Sequence, residues 1–302
     1  MKEGERQPML MVVTGHPKVG KSYRTLQELL ALKEKGRNIL IFDTNLEGTF
    51  AQFPTIDFDV EAEREQDRAK WVRQFRPVPG RPAEIRRVVP FTKSGQPMSL
   101  DQKATTCYDL MKFFEDGCLL LEDVNNYLTA AATKHFVSSI CTFRHRRQDV
   151  IIHLQATSAI PPRLWQNVTY LRMHHESTSV DRIKTRLPNY QLNKLAELLI
   201  NRAYNAGSVF TCLYLDIQHN KILTKEPFFR QAVQDYFMQF PRELDRIAGQ
   251  RDLEGKKLYA NRQQALEEET KRLIADYLPA PAVSPKAGKQ VSITSKKRRK
   301  AS

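Results

Sequence analysis

Two stretches of the sequence carry side chains suited to handling a triphosphate. The first is 15-GHPKVGKS-22, directly behind the apolar run 9-MLMVVT-14. Gly15 and Gly20 permit torsions in which successive amides turn inward around phosphate oxygens. The Lys21 ammonium can neutralise β- and γ-phosphates, and the Ser22 hydroxyl can hold Mg2+. A helix starting here adds the positive end of its dipole. The bland alternative is an ordinary glycine turn into a helix. The second stretch is 118-CLLLEDV-124, a buried strand ending in two acids. At the carboxyl edge of a parallel sheet one carboxylate can hold the metal while the other orients water. The order suggests Glu122 for the metal and Asp123 for water, with the two roles open to exchange. A solvated strand end and helix cap is the competing reading.

Two further segments join them. The strand 150-VIIHLQATS-158 ends in an amide that could place Gln155 against a γ-phosphate or the attacking water; a structural role for a lone strand-end glutamine is the competing reading. Before it lies 143-FRHRRQ-148, whose arginines could form a solvated basic face or reach a neighbouring subunit's γ-phosphate. Arg144 is the first choice for that finger, with Arg146 and Arg147 as alternatives. No His-x-x-x-His spacing occurs here. His174 and His175 point to opposite faces of a strand, against a shared metal.

The elements that must position these groups alternate. Apolar runs predict strands at 9–14, 38–43, 86–91, 118–122, 150–155 and 168–173. Helical patterns are expected at 21–35, around 60–75, at 101–115, 125–140 and 180–206, with a hairpin at 209–225 and a helix at 251–277. The βαβα rhythm argues for an α/β fold with a mostly parallel sheet covered by helices. The expected division is a core over 1–230, a helical extension over 231–278 and a disordered basic tail over 279–302.

The chain has 302 residues and a net charge of +14. Seven bases and no acids lie between Pro279 and Ser302, so residues 1–278 retain +7. A basic body with the run 296-KKRRK-300 suits a partner made of phosphates. A solubilising or targeting tail is the alternative. No apolar run reaches membrane-spanning length, and 1-MKEGERQP-8 lacks a signal peptide's apolar centre. A cytoplasmic location is expected. The cysteines at 107, 118, 141 and 212 are scattered without a CxxC pair and read as reduced, mostly buried residues.

The order of these motifs resembles the FtsK–HerA superfamily of P-loop ATPases. It is most similar to phage DNA-packaging ATPases and the Zot-like branch, over roughly residues 9–225. The resemblance rests on 15-GHPKVGKS-22, 39-ILIFDTNLEG-48, 118-CLLLED-123 and 143-FRHRRQDVIIHLQATSAIP-161. It implies a three-layer RecA-like sheet with an additional strand between the phosphate-loop strand and the acid strand, a slot assigned to 86-RRVVPF-91. It also implies a ring-shaped homo-oligomer, often hexameric, that hydrolyses ATP with Mg2+ while moving DNA. In a virus the chain would act in the host cytoplasm or the virion, with a capsid or portal protein as a further partner. Carried over by position, Gly15, His16, Pro17, Lys18, Val19, Gly20, Lys21, Ser22 and Tyr23 bind the nucleotide. Glu122 and Asp123 serve metal and hydrolysis, Gln155 senses the γ-phosphate, and Arg144 is the finger. Zot-like proteins usually carry a membrane segment, which favours a packaging motor here. The other readings are a Zot-like assembly ATPase, a nucleotide kinase on the same sheet, and a nucleotide-gated adaptor. DNA-stimulated turnover separates the motor from the last two.

Overall fold

The structure is a computed structural model and describes residues 7–127, 136, 138–140 and 142–280. Its centre is an eight-stranded sheet. The strands are β1 (Leu10–Thr14), β2 (Asn38–Phe42), β3 (Ile85–Val88), β4 (Gly117–Leu121), β5 (Asp149–Leu154), β6 (Tyr170–His174), β7 (Cys212–Asp216) and β8 (Lys221–Ile222). They run in the order β3-β2-β4-β5-β1-β6-β7-β8. The first six are parallel, and the ribbon β7–β8 is antiparallel to β6. β1, β2, β4 and β5 are buried at every position, as expected for parallel strands covered on both faces.

Alternate residues of these strands feed two cores. Met11, Val13, Ile39, Ile41, Leu120 and Ile151 pack with Leu29 and Leu32 of α1 (Lys21–Glu34). Leu10, Val12, Leu40, Leu119, Leu121, Val150 and Ile152 face the larger core on the other side. That side holds α4 (Leu100–Phe113), α5 (Tyr190–Asn205), α6 (Glu226–Gln239), α7 (Pro241–Ala248) and α8 (Arg262–Tyr277). The result is three layers, helix on sheet on helix. The 54–84 stretch contributes only two short helices, α2 (Glu65–Arg68) and α3 (Lys70–Gln74).

One strand assignment is corrected. The slot between the phosphate-loop strand and the acid strand is filled by β5, which pairs with both β1 and β4. The 86–91 segment supplies β3 instead, at the sheet's edge beside β2. Burial decides the difference. All six residues of β5 are buried, whereas Arg86 and Arg87 stay partly exposed in β3. Arg87 uses that margin to reach Asp43 at 3.0 Å and the Phe53 carbonyl at 3.1 Å.

Other expectations shift at their ends. The helix expected over 251–277 begins at Arg262, because 251–257 closes a turn through the Arg251–Lys257 bridge. Residues 180–206 split into 3-10 turns at Val180–Arg186 and α5. The boundary expected at 230 falls inside α6, whose Phe229, Ala232 and Val233 belong to the same core as the sheet. Lys221 of β8 donates to the carbonyls of Ala275 and Asp276, satisfying the end of α8. Most of the 125–140 helix, Cys141 and residues 281–302 of the expected tail lie outside the described residues. Cys107 and Cys118 are buried and Cys212 half-buried, all as free thiols. No described helix is long and apolar enough to cross a membrane.

Candidate nucleotide-binding site

The loop between β1 and α1 is held in place from β6 and its continuation. The His16 amide donates to the His175 carbonyl at 2.9 Å. His174 Nδ1 donates to the Val19 carbonyl at 3.1 Å. Gly15 has φ +149°, and a Cβ there would lie 2.6 Å from the His174 Cβ. Lys18 (φ 67°) and Gly20 (φ 86°) are both left-handed. A non-glycine residue held there marks a shape imposed by its surroundings.

Among the described residues, the start of α1 stands apart from the other long helices. α4, α5 and α8 are capped by the side chains of Ser99, Asn189 and Asn261. α6 and α7 carry an acid in the first turn, Glu226 and Glu243. α1 has Gly20 at its N-cap, no side-chain cap and no acid in its first turn. Its leading amides are left for an external anion. Lys21 Nζ folds back on the loop, donating to the Gly15 carbonyl at 2.6 Å and the His16 carbonyl at 3.1 Å. Burial lowers its pKa, opposed by the charges of Asp123, Glu122 and Glu47.

Opposite stands a group of carboxylates. Glu122 and Asp123 follow the carboxyl end of β4, and Asp43 follows β2. Glu122 is 2% exposed. Burial, then the charges of Asp43 and Asp123, push its pKa up to about 8. Asp123 adopts a left-handed conformation, and its Oδ2 accepts from Asn45 Nδ2 at 2.5 Å. Asp43 is fully buried against Arg87 and accepts from the Glu47 amide at 2.9 Å. Burial and the charges of Glu122 and Asp43 raise the pKa of Glu47. Gln155 follows β5 directly, exposed toward the same space.

The two sides enclose a cavity of about 520 Å3. Pro17, Lys18, Gly20, Lys21, Ser22 and Tyr23 form one wall, and Glu122, Asp123 and Gln155 another. Most of the residues expected from sequence are therefore brought together. His16 is exposed and its Nδ1 donates to the Pro17 carbonyl, and Val19 points inward as a buried packing residue. Neither lines the cavity by its side chain. Arg144 is not near it. It precedes β5 in a 3-10 turn at Phe143–Arg146, on the sheet edge opposite the loop. Arg146 approaches Glu115 at 3.9 Å and Arg147 meets Asp116 at 2.5 Å. Among the described residues Arg144 has no acid partner and lies over the Phe143 ring.

Several residues escaped the sequence reading. His153 lies buried on β5, with Nε2 2.8 Å from Thr25 Oγ1 and Nδ1 2.9 Å from Glu122 Oε1. Burial, with the charges of Arg172 and Lys21, holds its pKa down at about 3. Arg172 is fully buried on β6. It contacts Glu28 at 2.5 Å, donates to the Lys21 carbonyl at 3.1 Å and bonds Thr25. It thereby fixes the first turns of α1. A polar side chain inside an apolar run, as in 150-VIIHL-154 or 168-VTYLRM-173, was the available signal for both. Phe210, which also lines the cavity, gave none.

No family model matches the chain, and no curated protein matches it. Solved structures of similar shape include the genome packaging NTPase B204 of Sulfolobus turreted icosahedral virus 2 in complex with ATP-gammaS. That match has 14% identity, covers 72% of this chain and 96% of that one, and has a TM-score of 0.44. The DNA-packaging ATPase B204 of Sulfolobus turreted icosahedral virus matches at 13% identity, over 72% and 97%, with a TM-score of 0.48. The N-terminal domain of zonular occludens toxin from Neisseria meningitidis matches at 13%, over 57% and 79%, with a TM-score of 0.34. By its own strand order the chain is an α/β protein with a mostly parallel sheet, in which β5 lies between the loop strand and the acid strand.

Proposed function

We propose that this protein is an ATPase that uses hydrolysis to move DNA, acting as a ring of identical subunits in viral genome packaging. One observation carries the nucleotide reading. The uncapped amino end of α1, with Lys21, faces Glu122, Asp123 and Gln155 across a single cavity. A triphosphate is the ligand that satisfies both its halves: amides and an ammonium for the phosphates, carboxylates for a cation.

The residues present fit Mg2+. Glu122 Oε1 is buried without a hydrogen bond, among acids that repel one another. Among the described residues no three His, Cys, Asp or Glu converge as a metal cage. Mg2+ would therefore draw its other ligands from phosphate and water. Ser22 and Glu122 would hold it, and it would neutralise charge that builds up on the phosphates. Asp123 then orients the attacking water, and Gln155 faces the terminal phosphate.

The DNA reading draws on charge. Arg163, Arg182, Lys184 and Arg186 are exposed in the connections leaving the carboxyl ends of β5 and β6, on the edge that bears the site. None has an acid partner among the described residues. Unpaired cations of this kind bind phosphate backbones without reading sequence, as a translocase needs. The ring, the packaging setting and the capsid or portal partner rest on the motif resemblance. Arg144 would complete a neighbour's site from the opposite edge.

The test is ATP turnover with and without single- and double-stranded DNA, in the intact chain and in Lys21→Ala. The reading expects turnover that DNA stimulates and added salt suppresses, and a folded Lys21→Ala variant that hydrolyses nothing. Unchanged turnover in that variant ends it. Turnover that ignores DNA and rises with a nucleoside acceptor transfers the protein to the kinases.

A further inference from the structure

We propose that Phe210 is the stacking platform for the base of the bound nucleotide, with Tyr23 as a second aromatic wall of the same cavity. This rests on the nucleotide reading above and adds the group that recognises the nucleoside.

Topology brings Phe210 to the site. β7 runs antiparallel to β6, with Cys212 opposite His174, so the segment entering β7 arrives at the edge where the phosphate loop lies. A Cβ built on Gly20 would sit 3.1 Å from the Phe210 ring, so the ring lies against the loop's last glycine. Yet 70% of Phe210 remains exposed, as does 67% of Tyr23 on the first turn of α1. Scattered exposed aromatics are ordinary, but two on the wall of one concave site are not. Apart from Pro17 and Gly20, the remaining lining residues are ionic or polar, with Lys21, Glu47, Glu122 and Asp123 among them. The cavity thus has a charged part suited to phosphates and metal, and an aromatic part suited to a flat ring. A nucleoside triphosphate has the same two parts. Stacking uses the π-face that every base shares, so the platform favours the larger purines without selecting strongly between adenine and guanine.

The test measures calorimetric affinity for the Mg2+ complexes of a non-hydrolysable ATP analogue and of inorganic tripolyphosphate. It uses the intact chain, Phe210→Ala and Phe210→Trp. Phe210→Ala is expected to weaken the analogue about tenfold while leaving tripolyphosphate within about twofold, and Phe210→Trp to restore the analogue. Equal weakening of both ligands would mean that the ring only packs the loop, and overturns the proposal. So does an unchanged analogue, including the case where single-stranded oligonucleotide affinity falls instead and the ring serves DNA. If the intact chain binds the analogue no tighter than tripolyphosphate, the base contact is wrong and the phosphate site stands. If it binds neither, the nucleotide reading fails and takes this inference with it.

Discussion

His153 Nδ1 lies 2.9 Å from Glu122 Oε1, while its other nitrogen meets Thr25 Oγ1 at 2.8 Å. The first pair is close without the alignment of a hydrogen bond, since Glu122 Oε1 has no bonded partner. One imidazole therefore bridges the acid at the end of β4 to the second turn of the phosphate-loop helix. Both neighbours are buried, so His153 sets where the Glu122 carboxylate can point. Asparagine can mimic Nδ1 and glutamine Nε2. His153→Asn should keep the Glu122 side and retain most turnover. His153→Gln should lower kcat about 10- to 100-fold with little change in KM for ATP, the scale of a lost positioning contact. Equal kinetics in the two variants would reduce His153 to packing.

Glu122 is buried among Asp43, Asp123 and Glu47, and its ionised form is costly there. Glutamine keeps its shape and removes the charge. Glu122→Gln should therefore unfold at an equal or higher temperature than the parent in Mg2+-free buffer, while ATP turnover falls at least about a hundredfold. A site that sacrifices stability for function behaves in this way. A variant that melts well below the parent would mean that the carboxylate is structural.

How much of this arrangement the sequence reveals depends on whether a feature is local. The loop, the acid pair and Gln155 each follow an apolar strand directly, so their edge of the sheet can be read from the order of residues. Strand order is not local. Both 86-RRVV-89 and 150-VIIHL-154 are short runs of strand character, and pairing alone decides which is central. A hint existed, because Arg86 and Arg87 between Ile85 and Val88 fit a sheet margin better than its middle. The helices α6 and α7 were blurred by Pro227 and Pro241. Both prolines sit in first turns, where a missing amide is harmless. Phe210 reaches the loop only because β7 reverses direction, a relation some 190 residues apart that no periodicity reports.

His174 makes the loop's support sensitive to acid. Its Nδ1 donates to the Val19 carbonyl, its Nε2 is buried without a partner, and burial with the Arg172 charge holds its pKa at about 3. The ordinary imidazole value is 6.5. Between these values the unfolded chain binds a proton that the folded chain refuses, so stability is full above about pH 6.5 and is lost as pH falls toward 3. One proton contributes a slope of about 1.4 kcal/mol per pH unit. His174→Asn keeps the donor to Val19 and cannot titrate. Urea unfolding between about pH 4 and pH 6 should show its stability falling less steeply than the parent's by about that slope. Parallel curves would place the imidazole's proton affinity near its ordinary value.

Arg144 and Lys21 occupy opposite ends of the sheet, one before the amino end of β5 and the other after the carboxyl end of β1. β5 has six residues, so the separation is about 20 Å along the strands, beyond the reach of one side chain. If Arg144 serves catalysis, it serves a neighbour's site. Arg144→Ala should then bind ATP like the parent and hydrolyse it about a thousandfold more slowly. Lys21→Ala should fail at binding while keeping its own arginine. Mixed together, the two inactive proteins should recover part of the turnover, because some interfaces will join an intact loop to an intact arginine. Arg146→Ala and Arg147→Ala, at positions that already face Glu115 and Asp116, should by contrast keep turnover near the parent's with no mixing. No recovery in the mixture, with an assembled oligomer present, would remove Arg144 from the catalytic site and leave it a surface residue of β5's entry turn.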